Sequence, residues 1–191
     1  MKRIAAAVLA ALAALPAAGA PLAVGDKLAP FKMKDATGQE QDLAALMGKK
    51  AVVLMFMATQ CPVSNAYNER MATFARDYAA KGVAFIGINA NKQEPPAEIV
   101  QHAKMHAFGF PILKDEKNVK ADELGAQVTP EAYVFDPAWT LRYHGRIDDD
   151  RSGKSVTSRD LAAAVDAIVA GKDVPVKETK AFGCTIKRIT P

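Results

Sequence analysis

The chain has 191 residues, half of them hydrophobic and 24% charged, with a formal net charge of +4. That length predicts one domain with a core of ordinary size, needing no covalent staple to fold. The mild charge makes no case for nucleic acid as a partner, and beyond the alanine-rich start there is no repeat, biased tract or long charge run.

The first residues have the order of a secretory signal peptide: Lys2 and Arg3, an apolar run from Ile4 to Leu15, then small residues from Ala17 to Ala20. The run is too short to span a bilayer comfortably. Cleavage is expected after Gly19, because a cut after Ala20 would put Pro21 beside the scissile bond. Residues 1–19 are therefore read as the signal peptide and 20–191 as one mature domain, periplasmic or secreted, with no stable membrane span. No cysteine follows the apolar run, so no lipid anchor is expected there.

Residues 24–49 are turn-rich. Asp35–Ala36–Thr37–Gly38 reads as a turn between two short strands, and Asp42 as the cap of a short helix through Met47, stopped by Gly48. Ala51 to Met57 is apolar without alternation, the pattern of a parallel strand buried on both faces. Tyr67, Met71, Phe74 and Tyr78 recur at helical spacing, which predicts one helix over 62–80 ended by Gly82. A second buried strand follows at Val83–Ile88, then a helix from Pro95–Pro96 to His106, a short extended piece at Phe110–Leu113 and a short helix at Val119–Leu124. Ala132–Phe135 and Leu141–Gly145 read as a hairpin across Asp136–Pro137. Thr157 with Asp160 is a cap signal for a last amphipathic helix carrying Leu161, Val165, Ile168 and Val169. The tail 172–191 shows no periodicity.

Two cysteines are present, Cys61 and Cys184, 123 residues apart. In an exported protein they can form a structural disulfide, worth roughly 4–5 kcal/mol in the loop-entropy model, stay inert, or do redox chemistry. Cys61 sits where a buried strand hands over to a helix, with Pro62 suited to the first helical position. Free N–H groups and the positive dipole end there stabilise a thiolate, the form that attacks disulfides and peroxides. The end of a strand in an open α/β sheet is also where sites form.

Cys61–Pro62–Val63–Ser64 after Met55 to Gln60 resembles the active-site turn of the thioredoxin superfamily. Val128–Thr129–Pro130 before the strand Ala132–Phe135 is similar to its cis-proline loop. Gly145–Arg146–Ile147–Asp148 and Phe182–Gly183–Cys184 resemble bacterial redoxins of the alkyl hydroperoxide reductase/thiol-specific antioxidant group, and the similarity runs from about Gly25 to Cys184. The resemblance implies an α/β thioredoxin-like three-layer fold: a mixed central sheet with helices on both faces and an N-terminal β-hairpin extension. It implies Cys61 as nucleophile, Cys184 as resolving thiol, and Thr129, Pro130, Pro62, Ser64 and Thr59 lining the substrate approach. No metal and no organic cofactor is implied. The partners would be protein or small-molecule thiols and disulfides, with an external thiol reductant for turnover.

Two positions depart from the family pattern. Thioredoxins carry a second cysteine where this chain has Ser64, whose hydroxyl can bond a thiolate but cannot resolve a mixed disulfide. Peroxiredoxins carry Thr or Ser and, four residues earlier, Pro, where this chain has Ala58 and Leu54; Thr59 is one residue off. Cys184 is then the internal candidate to resolve Cys61, as a redox couple or as a static staple. The reading is an exported thiol–disulfide oxidoreductase of redoxin type. The alternatives are a thiol peroxidase passing through a Cys61 sulfenic acid, and a non-enzymatic periplasmic interaction module held by a structural disulfide.

Other signals are weaker. His102 and His106 have the spacing of paired metal ligands, but no third ligand completes a site, and a solvated helix face is expected. Asp148–Asp149–Asp150 reads as a solvated acidic turn beside Arg151, and Lys27, Lys32 and Lys34 as solubilising surface. His144 lies on a strand with nothing to place it as a base, and Trp139 reads as cover for a core edge.

Overall fold

The computed structural model describes residues 20–189, so the expected signal peptide, residues 1–19, lies outside the described residues. Strands β1 (Lys32–Lys34) and β2 (Glu40–Asp42) form the expected N-terminal hairpin. The Asp35 carboxylate closes it by accepting hydrogen bonds from Thr37 N at 2.9 Å and Gln39 N at 3.1 Å. Asp42 caps the next segment through Ala44 N, but Leu43–Leu46 makes a single 3₁₀ turn rather than an α-helix.

The central sheet contains β3 (Ala51–Phe56), β4 (Val83–Asn89), β5 (Ile112–Lys114), β7 (Glu131–Phe135) and β8 (Leu141–Gly145), in the order β5-β4-β3-β7-β8. β3, β4 and β5 are parallel, while β7 and β8 run antiparallel, so the sheet is mixed. β3 is its middle strand and is buried along its whole length, as the unbroken apolar run requires. Its side chains alternate. Ala51, Val53 and Met55 pack on one face with Met71, Ile99, Leu161 and Val165; Val52, Leu54 and Phe56 pack on the other with Leu28, Leu43, Leu124 and Trp139. Each Val, Leu, Ile, Met or Phe among them contributes about 1.5–3 kcal/mol by leaving water.

The first face is covered by α2 (Asn68–Ala79), α3 (Pro96–Met105) and α5 (Asp160–Val169), and the second by α4 (Val119–Leu124) with the 3₁₀ turn. This is the three-layer arrangement that the resemblance implied. No helix among the described residues is long and apolar enough to cross a membrane.

Several expectations need correction. The single helix over 62–80 is two: α1 (Pro62–Asn65) and α2, because Tyr67 N bonds back to Ser64 O, three residues away, instead of continuing the four-residue ladder. The break turns the Tyr67 ring into the core, where its hydroxyl donates to Asp148 at 2.9 Å. Asp148 is thus no part of a solvated acidic turn. It is buried and also takes a salt bridge from Arg70, whose guanidinium lies 3.8 Å from the Tyr67 ring centroid. Thr157 does not cap α5. Its hydroxyl donates to Asp149, and the cap residue is Arg159 with no side-chain bond. His102 is buried rather than solvated, its ring among those of His106 and Phe108.

The tail is the largest departure. It runs along the sheet and docks at several points without repeating a contact, which is why it has no period. Lys177 O and Thr179 N bond the backbone of His144, and β9 (Cys184–Thr185) pairs antiparallel with β6 (Val128–Thr129). Ile186 is buried in the second core face. Lys187 N and Ile189 N bond the side-chain oxygens of Asn91 and Asn118 at 2.7 and 2.8 Å.

Candidate redox site at the Cys61–Cys184 disulfide

β3 delivers the chain to the top of the sheet, where Cys61 becomes the cap residue of α1 with Pro62 as the first helical residue. Cys61 is 3% exposed, and its sulfur accepts a hydrogen bond from Ser64 N at 3.3 Å. α1 is only four residues long, so a macrodipole contributes little there. The stabilisation available to a thiolate comes from that local N–H. Cys61 is bonded to Cys184, with Cα atoms 5.8 Å apart. The register of β6 and β9 sets Cys184 opposite Thr129. Thr129–Pro130 is a cis peptide, and the Thr129 carbonyl oxygen lies 3.3 Å from Cys61 Sγ.

Of the residues singled out in the sequence, Cys61, Pro62, Ser64, Thr129, Pro130 and Cys184 meet at one point. Ser64 acts through its backbone. Its hydroxyl, fully buried, accepts from Ala58 N at 3.1 Å and holds the loop rather than the sulfur. Thr59 faces away from the disulfide, its hydroxyl donating to Glu98.

Three further residues build this geometry, and sequence reasoning missed two of them, Glu94 and Glu131. Glu94, 1% exposed, accepts from Thr59 N at 2.8 Å and Gln60 N at 3.1 Å and so fixes the two residues before Cys61. Its position in a polar loop gave no signal. Glu131, 4% exposed, accepts from Gln127 N at 2.8 Å, Val128 N at 3.0 Å and His144 Nε2 at 2.5 Å. It braces the loop carrying Pro130, and the signal was a carboxylate opening an apolar strand. Gly183 lies so close to Thr129 that a Cβ would run into the Thr129 carbonyl. Gly183→Ala is therefore expected to unseat the tail at a cost of about 1–3 kcal/mol and to leave free thiols at Cys61 and Cys184. Denaturant midpoints and thiol titration of the folded protein check this.

Behind the loop, Asn65 Nδ2 donates to Thr59 O at 2.8 Å, and Asn68 Nδ2 lies 3.1 Å from His102 Nε2, which accepts as a neutral ring. Burial holds the His102 pKa below its ordinary value, with His106 adding to the effect. A histidine of depressed pKa leaves stability full above its unfolded value of about 6.5 and withdraws it as pH falls toward the folded value. The unfolding midpoint is expected to drop on acidification from pH 6.5, and to do so less in His102→Gln, as chemical denaturation across pH would show.

A mixed sheet of this order, with a cis-proline loop facing a helix-capping cysteine, defines a thioredoxin-like protein. The chain belongs to the AhpC/TSA family, whose family model matches residues 24–144. It is 29% identical over 123 residues to the thiol-disulfide oxidoreductase ResA of Halalkalibacterium halodurans, a match covering 64% of this chain and 65% of that protein. The chain thus spans just under two thirds of that relative's length. A hypothetical protein of Sinorhizobium meliloti has a solved structure with TM-score 0.83 and 36% identity, covering 91% of this chain and 98% of its own. The peroxidoxin BcpB of Mycobacterium tuberculosis, 22% identical with TM-score 0.58 over 78% of this chain and 95% of its own, shares the fold.

Proposed function

We propose that this protein is an exported thiol–disulfide oxidoreductase in which Cys61 is the nucleophile and Cys184 the resolving thiol. The observation that carries the reading is the Cys61–Cys184 disulfide, set at a helix cap against the Thr129–Pro130 loop. In the reduced protein the Ser64 N–H favours the Cys61 thiolate, which attacks a substrate disulfide. One substrate sulfur leaves as thiolate and takes a proton. Cys184, deprotonated, then attacks Cys61 Sγ, expels the second substrate sulfur, and forms the internal disulfide. Pro62, Ser64, Thr129 and Pro130 shape the approach, and Thr59 holds the loop through Glu98. The name of the relative ResA supports this class of chemistry. Export rests on the signal-peptide pattern of residues 1–19.

The test is redox equilibration of the folded mature protein in glutathione buffers, read by alkylation and mass. A reversible two-electron transition of the Cys61–Cys184 pair supports the reading. A bond that opens only on unfolding would make it a staple, and rapid stoichiometric consumption of hydrogen peroxide by the reduced protein would favour a peroxidase.

A further inference from the structure

We infer that the groove between α2 and α5 receives the flank of a polypeptide disulfide, with a basic side chain at Glu69, an acidic one at Arg159 and an apolar one between them. The inference rests on the oxidoreductase reading above and names the substrate class for that same site.

Position is the first ground. α1, α2 and α5 all start at the end of the sheet where Cys61 lies. β3 leads up to α1, and β8, antiparallel to β7, returns the chain to the same end before α5. Pro62, Ala66 and Arg70 follow at four-residue spacing, and Pro62 and Ala66 are exposed. One strip therefore runs from the cap of α1 to the groove, which Ala66 and Arg70 line. From Cys61 to Ala66 the helix rises about 7.5 Å. Two or three residues of extended chain cover that distance at about 3.3 Å each. A residue close in sequence to the substrate cysteine thus reaches the groove.

Shape is the second. The groove encloses about 580 Å³, the size of a ligand site. Phe74, Ile147 and Leu161 give it an apolar floor. The loop 148–153 contributes one wall and is already ordered. Arg70 donates to the Asp148 carboxylate and to the carbonyl oxygens of Asp150 and Arg151, and the Asp150 carboxylate accepts from Ser152 N at 2.9 Å. A wall fixed beforehand does not have to be ordered on binding, which favours affinity.

Charge is the third. Glu69 stands on the α2 bank and Arg159 on the α5 bank. Both are exposed, and neither side chain has a hydrogen bond or ion pair among the described residues. The other charged groups of the groove are committed, Arg70 to Asp148, and Asp77 to Arg76 at 3.0 Å. Two opposite charges left open on facing banks, with apolar surface between, match a chain that carries both signs. A ligand of one sign meets a like charge on one bank.

The test uses the reduced mature protein and synthetic peptides, each holding one cysteine as a mixed disulfide with a coloured aryl thiol. The Cys61 thiolate attacks the peptide sulfur, and the aryl thiolate leaves and is counted by its absorbance. Cys184 then gives up its proton, attacks Cys61 Sγ and expels the peptide thiol. A leucine near the peptide cysteine is flanked by two glutamates, by two lysines, or by one of each in either order. In wild type one of the mixed-sign peptides is expected to react fastest. Glu69→Lys should favour the acidic peptide over the basic one, and Arg159→Glu the basic over the acidic. The acidic-to-basic ratio of second-order rate constants should differ about tenfold or more between these two variants at low salt. Lys117→Glu makes the same charge change as Arg159→Glu, at an exposed site beside α4 on the other face of the sheet, and should leave the ratio near its wild-type value. A ratio that does not move, or that moves as far in Lys117→Glu, overturns the inference and leaves the proposed function standing. So does a wild type that equilibrates reversibly with glutathione but reacts with none of the peptides. A disulfide that opens only on unfolding overturns both.

Discussion

Cys61→Ser is expected to lower the rate of catalysed disulfide exchange by a factor on the order of 10³ or more, because it removes the atom that forms the first new bond. Cys184→Ser is expected to behave differently. Cys61 still takes a disulfide from substrate but has no internal thiol to release it, so a mixed disulfide on Cys61 accumulates and turnover stops. Quenched turnover assays with mass mapping separate the two outcomes. Equal residual turnover in both variants, with no mixed disulfide, would show that the pair is not a couple. The serine variants also lose a bond closing a 123-residue span, which the loop-entropy model values at about 4–5 kcal/mol, an upper figure because strain and residual structure reduce it. Activity must therefore be compared where both variants remain folded.

Glu131 carries the second large effect. Its carboxylate accepts two backbone N–H groups of the Gln127–Val128 segment and the His144 ring, and a fourth, longer bond at 3.3 Å comes from the Tyr133 hydroxyl. Glu131→Ala strips the partners from buried donors, and a loss of about 2–4 kcal/mol is expected, with β9 loosened because its own partner strand, β6, loses its brace. The pH dependence has a definite sign. Burial alone would raise the Glu131 pKa, but the bonds from His144, Val128 and Gln127 outweigh it and hold the carboxyl below its ordinary value of 4.5. A depressed carboxylate contributes stability above its unfolded pKa, and that contribution is lost as pH falls through the folded value. Wild type should thus lose stability below about pH 4.5 more steeply than Glu131→Gln, whose side chain does not titrate. Urea titrations from pH 7 to pH 3 measure the difference.

Much of the fold was legible because its signals are local and periodic. β3 announced itself by an unbroken apolar run, and its place at the centre of a mixed sheet followed from that run being buried on both faces. The hairpin at Asp35, the strands at 83–89, 131–135 and 141–145, and the helices at 96–105 and 160–169 all carry patterns that a few residues suffice to show. The two-part helix was not legible. Tyr67 fits the same apolar stripe as Met71 and Phe74, and only the buried Asp148 waiting across the core, 81 residues away, explains why the ladder breaks there.

The site divides the same way. Its chemistry is written in single residues, a cysteine before a proline at a strand-to-helix junction, a Thr–Pro before a strand, and one distant cysteine. Those residue types and their order along the chain were available from the sequence alone, because thiolate stabilisation at a helix cap needs only local backbone geometry. Tertiary structure decided everything that depends on chain segments meeting. It seated an aperiodic tail against β6 and bonded Cys184 to Cys61. It also turned the Ser64 hydroxyl and Thr59 away from the sulfur, and recruited Glu94 and Glu131 to brace the two loops. A two-residue strand and a buried carboxylate have no period to read. Their partners lie 2 to 68 residues away and are chosen by how the sheet brings loop ends together.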